Sequence, residues 1–81
     1  MYVPTLDSKI VGKVIASCRQ ERELSQEVAS GLAGIGRSHL SAIERGERKP
    51  TLETLYRICT ALNMNMSAVV LLIEAEMNGR N

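Results

Sequence analysis

Arg37, Ser38, His39, Ser41, Arg45, Arg48 and Lys49 crowd hydroxyls, an imidazole and cations into one short run of the chain. Side chains of these types suit one chemistry above others, which is hydrogen bonding to base edges and charge pairing with phosphates in nucleic acid. The competing chemistries lack parts. His39 is the single histidine, and without acidic or thiol neighbours at helical spacing it makes no metal site. Ser38 and Ser41 have neither a base nor an orienting carboxylate beside them, so no nucleophilic catalysis is assigned. No enzyme activity, cofactor or metal is expected.

The totals narrow the reading further. A net charge of +1 excludes a uniformly basic coat, so the cationic footprint must be local, between Arg37 and Lys49, with Glu74 and Glu76 at the far end. A chain of 81 residues is one small domain, near the size at which a second subunit helps to stabilise the core. Tyr2 and Tyr56 are the only aromatic residues, which makes the core aliphatic. Cys18 and Cys59 are far apart, with no C-x-x-C pair, and read as small core thiols in a reducing cytoplasm. The opening MYVPTLDSK lacks the basic-then-apolar order of a secretion signal, and the apolar run Ala68–Ile73 is too short to span a bilayer. A cytoplasmic location is expected, with no membrane partner.

Five helical pieces joined by short turns must position the basic run, and no strand-like alternation is present. Residues 1–7, with Pro4, read as an extended arm, and residues 8–81 as the domain. Asp7 or Ser8 caps a first helix carrying Ile10, Val14, Ile15 and Cys18 at three- and four-residue steps. Ser25 caps a short second helix with Glu27 in its first turn. Gly34 supplies a sharp turn through positive φ, and a third helix runs from about Arg37 to Arg45, closed by Gly46. Thr51 caps a fourth helix with Leu52, Leu55, Ile58, Cys59 and Leu62 on one face, and Asn63 takes a left-handed exit. Ser67 is read as the cap of a fifth. The fold class is therefore all-α, a compact five-helix domain.

Helix two, a glycine turn and helix three form a helix-turn-helix, in which Ala29, Ser30, Gly31, Ala33 and Gly34 keep the elbow small enough for the helices to approach. Ile35, Leu40 and Ile43 face inward, leaving Arg37, Ser38, His39, Ser41 and Ala42 outside. The stretch GIGRSHLSAIERGERKP, with LSQE ahead of it and LETL behind, resembles the lambda-repressor and Cro-like helix-turn-helix family of bacterial and phage regulators. The five-helix order extends the resemblance over most of the chain.

The resemblance implies roles residue by residue. Gln26 matches the position that opens helix two and touches a phosphate or an adjacent base edge. Arg37 and Ser38 match the first base-reading residues of the recognition helix, with a bidentate contact from Arg37 to guanine as the leading pairing. Ala42 falls one turn on, where a methyl meets a thymine methyl or nothing. His39 and Ser41 border the DNA backbone, and Arg45, Arg48 and Lys49 match a phosphate-contacting loop. Arg19 and Glu44 match a partly buried ion pair between helices one and three. Three positions depart from the family pattern. Glu23 stands where a turn glycine is usual, which costs about 1 kcal/mol if it keeps positive φ and nothing if helix one is longer. Ala29 and Ser30 leave the core short of volume, and the favoured reading rolls Val28 and Leu32 inward to fill it; otherwise they form an exposed apolar stripe for a partner.

Val69 to Ile73 place apolar residues on every side of a helix, so part of that surface needs cover from a second copy. A symmetric dimer is expected through Val69, Val70, Leu72 and Ile73, assisted by Tyr2, Val3 and the end of helix four. Two recognition helices would then lie about 34 Å apart on one face of double-stranded DNA. The function expected is a sequence-specific transcriptional regulator, a homodimeric repressor or autoregulator on a near-palindromic operator. The alternative is an antitoxin-type interaction protein of the same fold, which binds a small protein partner and its own promoter.

Overall fold

The computed structural model describes residues 2–79, so Met1 of the arm and residues 80–81 of the domain lie outside the described residues. Helices α1 (Ser8–Glu21), α2 (Gln26–Ala33), α3 (Arg37–Glu44), α4 (Leu52–Ala61) and α5 (Met66–Asn78) follow one another, with no strand among the described residues. Each of the first four starts on a residue in extended conformation. Asp7 Oδ1 accepts from the Lys9 and Ile10 amides, and the Ser25 and Thr51 hydroxyls accept from Val28 and Thr54. Gly36 starts α3 with no side-chain cap.

The ends of these four helices share one device, a residue in left-handed conformation followed by an amide that reaches back over the last turn. Glu23, Gly34, Gly46 and Asn63 have φ of 57, 70, 79 and 55°. The next amides, of Leu24, Ile35, Glu47 and Met64, donate to the carbonyls of Arg19, Ser30, Ala42 and Cys59. This is the closure that satisfies orphan carbonyls when a helix stops abruptly. Glu23 keeps positive φ, so the strain foreseen for it is present and helix one is not lengthened. The fifth helix departs from expectation: it begins at Met66, after Asn65, and not after Ser67. Met66 packs against the core, and the Asn65 carbonyl already accepts from the Ala68 amide, so burial extends the helix past the hydroxyl signal.

The core is aliphatic, centred on Ile15, Leu40, Ile43, Cys59 and Val69, and Met64, Met66 and Met77 fill its edges. Helix α1 packs on α3 and α5, α2 on α3 and α4, and α4 on α5. Helices α1 and α3 approach closely at Gly12. A Cβ there would lie 2.7 Å from the Glu44 carbonyl oxygen and closer still to that of Ile43. The small-residue argument for the elbow holds in part: Ala29, Ser30 and Ala33 are buried, but nothing would meet a Cβ on Gly31.

Val28 and Leu32 do not roll inward; they are 49 and 64 % exposed. Beside Ala29 and Ser30, helix α2 packs on α4, and a close approach of two helices leaves small side chains no void to fill. Ser30, though buried, donates its hydroxyl to the Glu27 carbonyl at 3.1 Å and so needs no other partner. Leu52, expected on the inward face of α4, is exposed; it opens the first turn of the helix and lines the rim of a groove shared with Val70 of α5.

Candidate nucleic-acid interface

Helix α3 is held from behind. Leu40 and Ile43 are almost wholly buried, and a residue pair spaced three apart fixes which side of an eight-residue helix faces out. Arg37 and Ser38 stand exposed at its start, while His39, Ser41 and Ala42 are half-buried along it. Gly36 brings no side chain to the first-turn amides, so the positive end of the helix is left open beside the Arg37 guanidinium. Among the described residues Arg37 makes no ion pair or side-chain hydrogen bond, and its five donors remain available.

The far end of α3 is tied to α1 and α2 by a polar knot. Arg19 Nε donates to Glu44 Oε2 at 2.7 Å, and Nη2 donates to Oε1 at 2.9 Å. Its third nitrogen, Nη1, donates to the Leu24 carbonyl at 2.8 Å, which also secures the turn at Glu23. The side chains are only 12 and 6 % exposed, and the hydrogen bonds to Glu44 raise the Arg19 pKa above its ordinary value. Gln26, the first residue of α2, joins the same carboxylate: its Nε2 donates to Glu44 Oε1 at 2.9 Å. Helix α3, the first turn of α2 and helix α1 thus meet at one side chain.

The loop after α3 is less cationic than its sequence suggests. Arg45 grips the Glu47 carboxylate with Nε at 2.8 Å and Nη2 at 3.0 Å, and its Nη1 reaches the Ser41 hydroxyl. The Arg45 hydrogen bonds and charge hold the Glu47 carboxyl below its ordinary range. Two residues expected at the phosphates, Ser41 and Arg45, are therefore engaged with each other. Lys49 Nζ donates to the Thr5 hydroxyl at 3.0 Å, a neutral partner that leaves its charge uncompensated and draws in the arm. Arg48 is exposed, with no ion pair among the described residues. Glu47 was missed by sequence reasoning, although an acid two residues after Arg45 was the available signal.

A helix-turn-helix family model matches residues 15–69. The chain belongs to the helix-turn-helix family. An uncharacterised HTH-type transcriptional regulator of Sinorhizobium fredii is 40 % identical over 57 residues, covering 70 % of this chain and 74 % of that protein. The immunity repressor protein of Bacillus phage phi105 is 40 % identical over 60 residues, covering 74 % of this chain but 42 % of the repressor. The restriction-modification controller protein C.AhdI of Aeromonas hydrophila superposes with a TM-score of 0.76 at 29 % identity, covering 80 % of this chain and 98 % of that one.

In this helix-turn-helix protein the surface on α5 differs from the one expected. Val69 and Ile73, assigned to a dimer contact, are 1 and 4 % exposed and belong to the core of the single chain. Their four-residue spacing is the inward stripe, which leaves Val70, Leu71 and Leu72 outside. Leu71, not singled out in the sequence, is 66 % exposed. Helix α4 adds Leu52 from its beginning, whereas Leu62 at its end is buried. Leu6, Val11, Pro50, Leu52, Leu55 and Val70 line a groove between the arm, α4 and α5, and Tyr2 and Val3 are exposed nearby in the chain.

Proposed function

We propose that this helix-turn-helix protein is a DNA-binding transcriptional regulator that works as a homodimer, a repressor or autoregulator, on a near-palindromic operator. The observation that carries the reading is the state of α3. Its back is locked by Leu40 and Ile43, and its leading end offers an exposed Arg37, unpaired among the described residues, beside Ser38. Arg37 then reads guanine, Ser38 an adjacent base, and Ala42 a thymine methyl, while Gln26 enters from α2. His39, Arg48 and Lys49 position the protein on phosphates, joined by Ser41 and Arg45 once Glu47 gives way. The dimer seam runs over the exposed side of α5, Val70, Leu71 and Leu72, with Leu52 beside Val70, since exposed apolar side chains favour cover by a second copy. The helix-turn-helix relatives named as transcriptional regulator and repressor support the same reading. Selection of bound duplexes from a random pool tests it: two inverted half-sites about 34 Å apart are expected, and a pool returning no motif would contradict it.

A second reading, an interaction protein of the same fold, is favoured by one observation. Val28 and Leu32 lie exposed on α2, and Leu32 borders a shallow groove with Gly31, Gly34, Tyr56, Arg57 and Thr60. An antitoxin-type partner would cover this face. Leu32→Ser should then abolish co-purification with a small partner chain and leave operator binding intact.

A further inference from the structure

Gln26 was matched to a position that touches either a phosphate or a base edge, and the polar knot decides between them. An ionised carboxylate only accepts hydrogen bonds, so the Gln26 atom 2.9 Å from Glu44 Oε1 must be the amide nitrogen. Arg19 donates to both oxygens of that carboxylate, which acts as an acceptor on each. The amide therefore cannot flip. One N–H is spent on Glu44, and what remains without a partner among the described residues is one N–H together with the carbonyl oxygen Oε1.

A phosphate offers only acceptors. It would take the single N–H and set its oxygens against the Oε1 lone pairs. Adenine in the major groove offers an acceptor, N7, beside a donor, the N6 amino group, and so satisfies both remaining groups at once. We propose that Glu44 is a positioning residue that makes Gln26 a reader of adenine and not a phosphate anchor. This rests on the DNA-binding reading given above.

The test uses the full chain and the operator recovered by selection, with single adenines replaced by purine, which lacks the N6 amino group, or by 7-deazaadenine, which lacks N7. At one position per half-site each replacement should weaken the wild-type protein about 5- to 150-fold. Gln26→Ala, which leaves the Arg19–Glu44 pair whole, should lose that discrimination and bind the modified and natural duplexes alike. An Arg19→Met/Glu44→Met variant keeps Gln26 but not its anchor; it too should lose the adenine preference, with the salt dependence unchanged. A purely structural knot would leave that preference in place. If Gln26→Ala weakens the natural and the modified duplexes by the same factor, so that the adenine preference survives, Gln26 is an anchor and the proposal is overturned. Binding of no duplex at all would instead defeat the DNA reading itself, and this inference with it.

Discussion

Removing one partner of the Arg19–Glu44 pair should cost more than removing both. The two side chains are 12 and 6 % exposed and share hydrogen bonds of 2.7 and 2.9 Å, so water can replace little of what is lost. Arg19→Met leaves the Glu44 carboxylate with only the Gln26 amide, and Glu44→Met leaves the guanidinium with only the Leu24 carbonyl. An orphaned charge of this kind costs about 3 to 5 kcal/mol; the surviving hydrogen bond in each case places both singles near the lower end, about 3 kcal/mol. The double variant buries no charge and should cost less than either single, giving a coupling energy of about 3 kcal/mol or more. A domain of this length has only about 4 to 12 kcal/mol of stability, so the singles should lie well down the unfolding curve. Urea denaturation of all four proteins measures the cycle, at one fixed protein concentration because dimerisation adds to apparent stability. Costs that sum in the double variant to within about 0.5 kcal/mol would show that the two charges act independently, and would refute the reasoning.

Glu47→Gln removes the acid that occupies Arg45 and should tighten DNA binding about threefold at low salt, steepening the salt slope by about one phosphate contact; titrations at several salt concentrations check this. Gly12→Ala should destabilise by about 1 to 3 kcal/mol or more, because the added methyl meets backbone carbonyls of α3 that have no rotamer to yield, read as a lowered urea midpoint. Burial raises the Cys18 and Cys59 thiols above their ordinary pKa. The unfolded chain therefore loses these protons first as pH rises. The stability they contribute is whole below about pH 8.5 and falls through the raised folded values. Urea midpoints from neutral to alkaline pH should show that fall, and Cys18→Ala/Cys59→Ala should flatten it.

What could be read from the residues was whatever a local signal encodes. Asp7, Ser25 and Thr51 announce helix starts because capping needs one short polar side chain, and Gly34, Gly46 and Asn63 announce exits because few residues tolerate positive φ. Glu23 in the same conformation shows the limit: its backbone is imposed by closure of the turn and by Arg19 bonding the Leu24 carbonyl. The run from Val69 to Ile73 is apolar at every position, so its periodicity carried no phase, and the split between core and surface emerged only from packing on α1 and α4. Gly12 gave no signal either, since a close approach of two backbones is a property of their crossing. At the interface, the exposure of Arg37 followed from Leu40 and Ile43, whereas Glu47 went unnoticed because a cationic run draws attention away from the acid inside it.

The division of labour between Arg37 and the loop is tested most directly by measuring affinity for the operator, and for each of its single-base-pair variants, with Arg37→Ala and Lys49→Ala at several salt concentrations. Arg37→Ala should weaken the operator by about 1 to 3 kcal/mol and erase the preference at one base pair. Lys49→Ala should weaken every duplex alike and flatten the salt dependence by about one unit. Identical losses from both substitutions on every sequence, with no base pair singled out, would contradict the assignment of Arg37 to base reading.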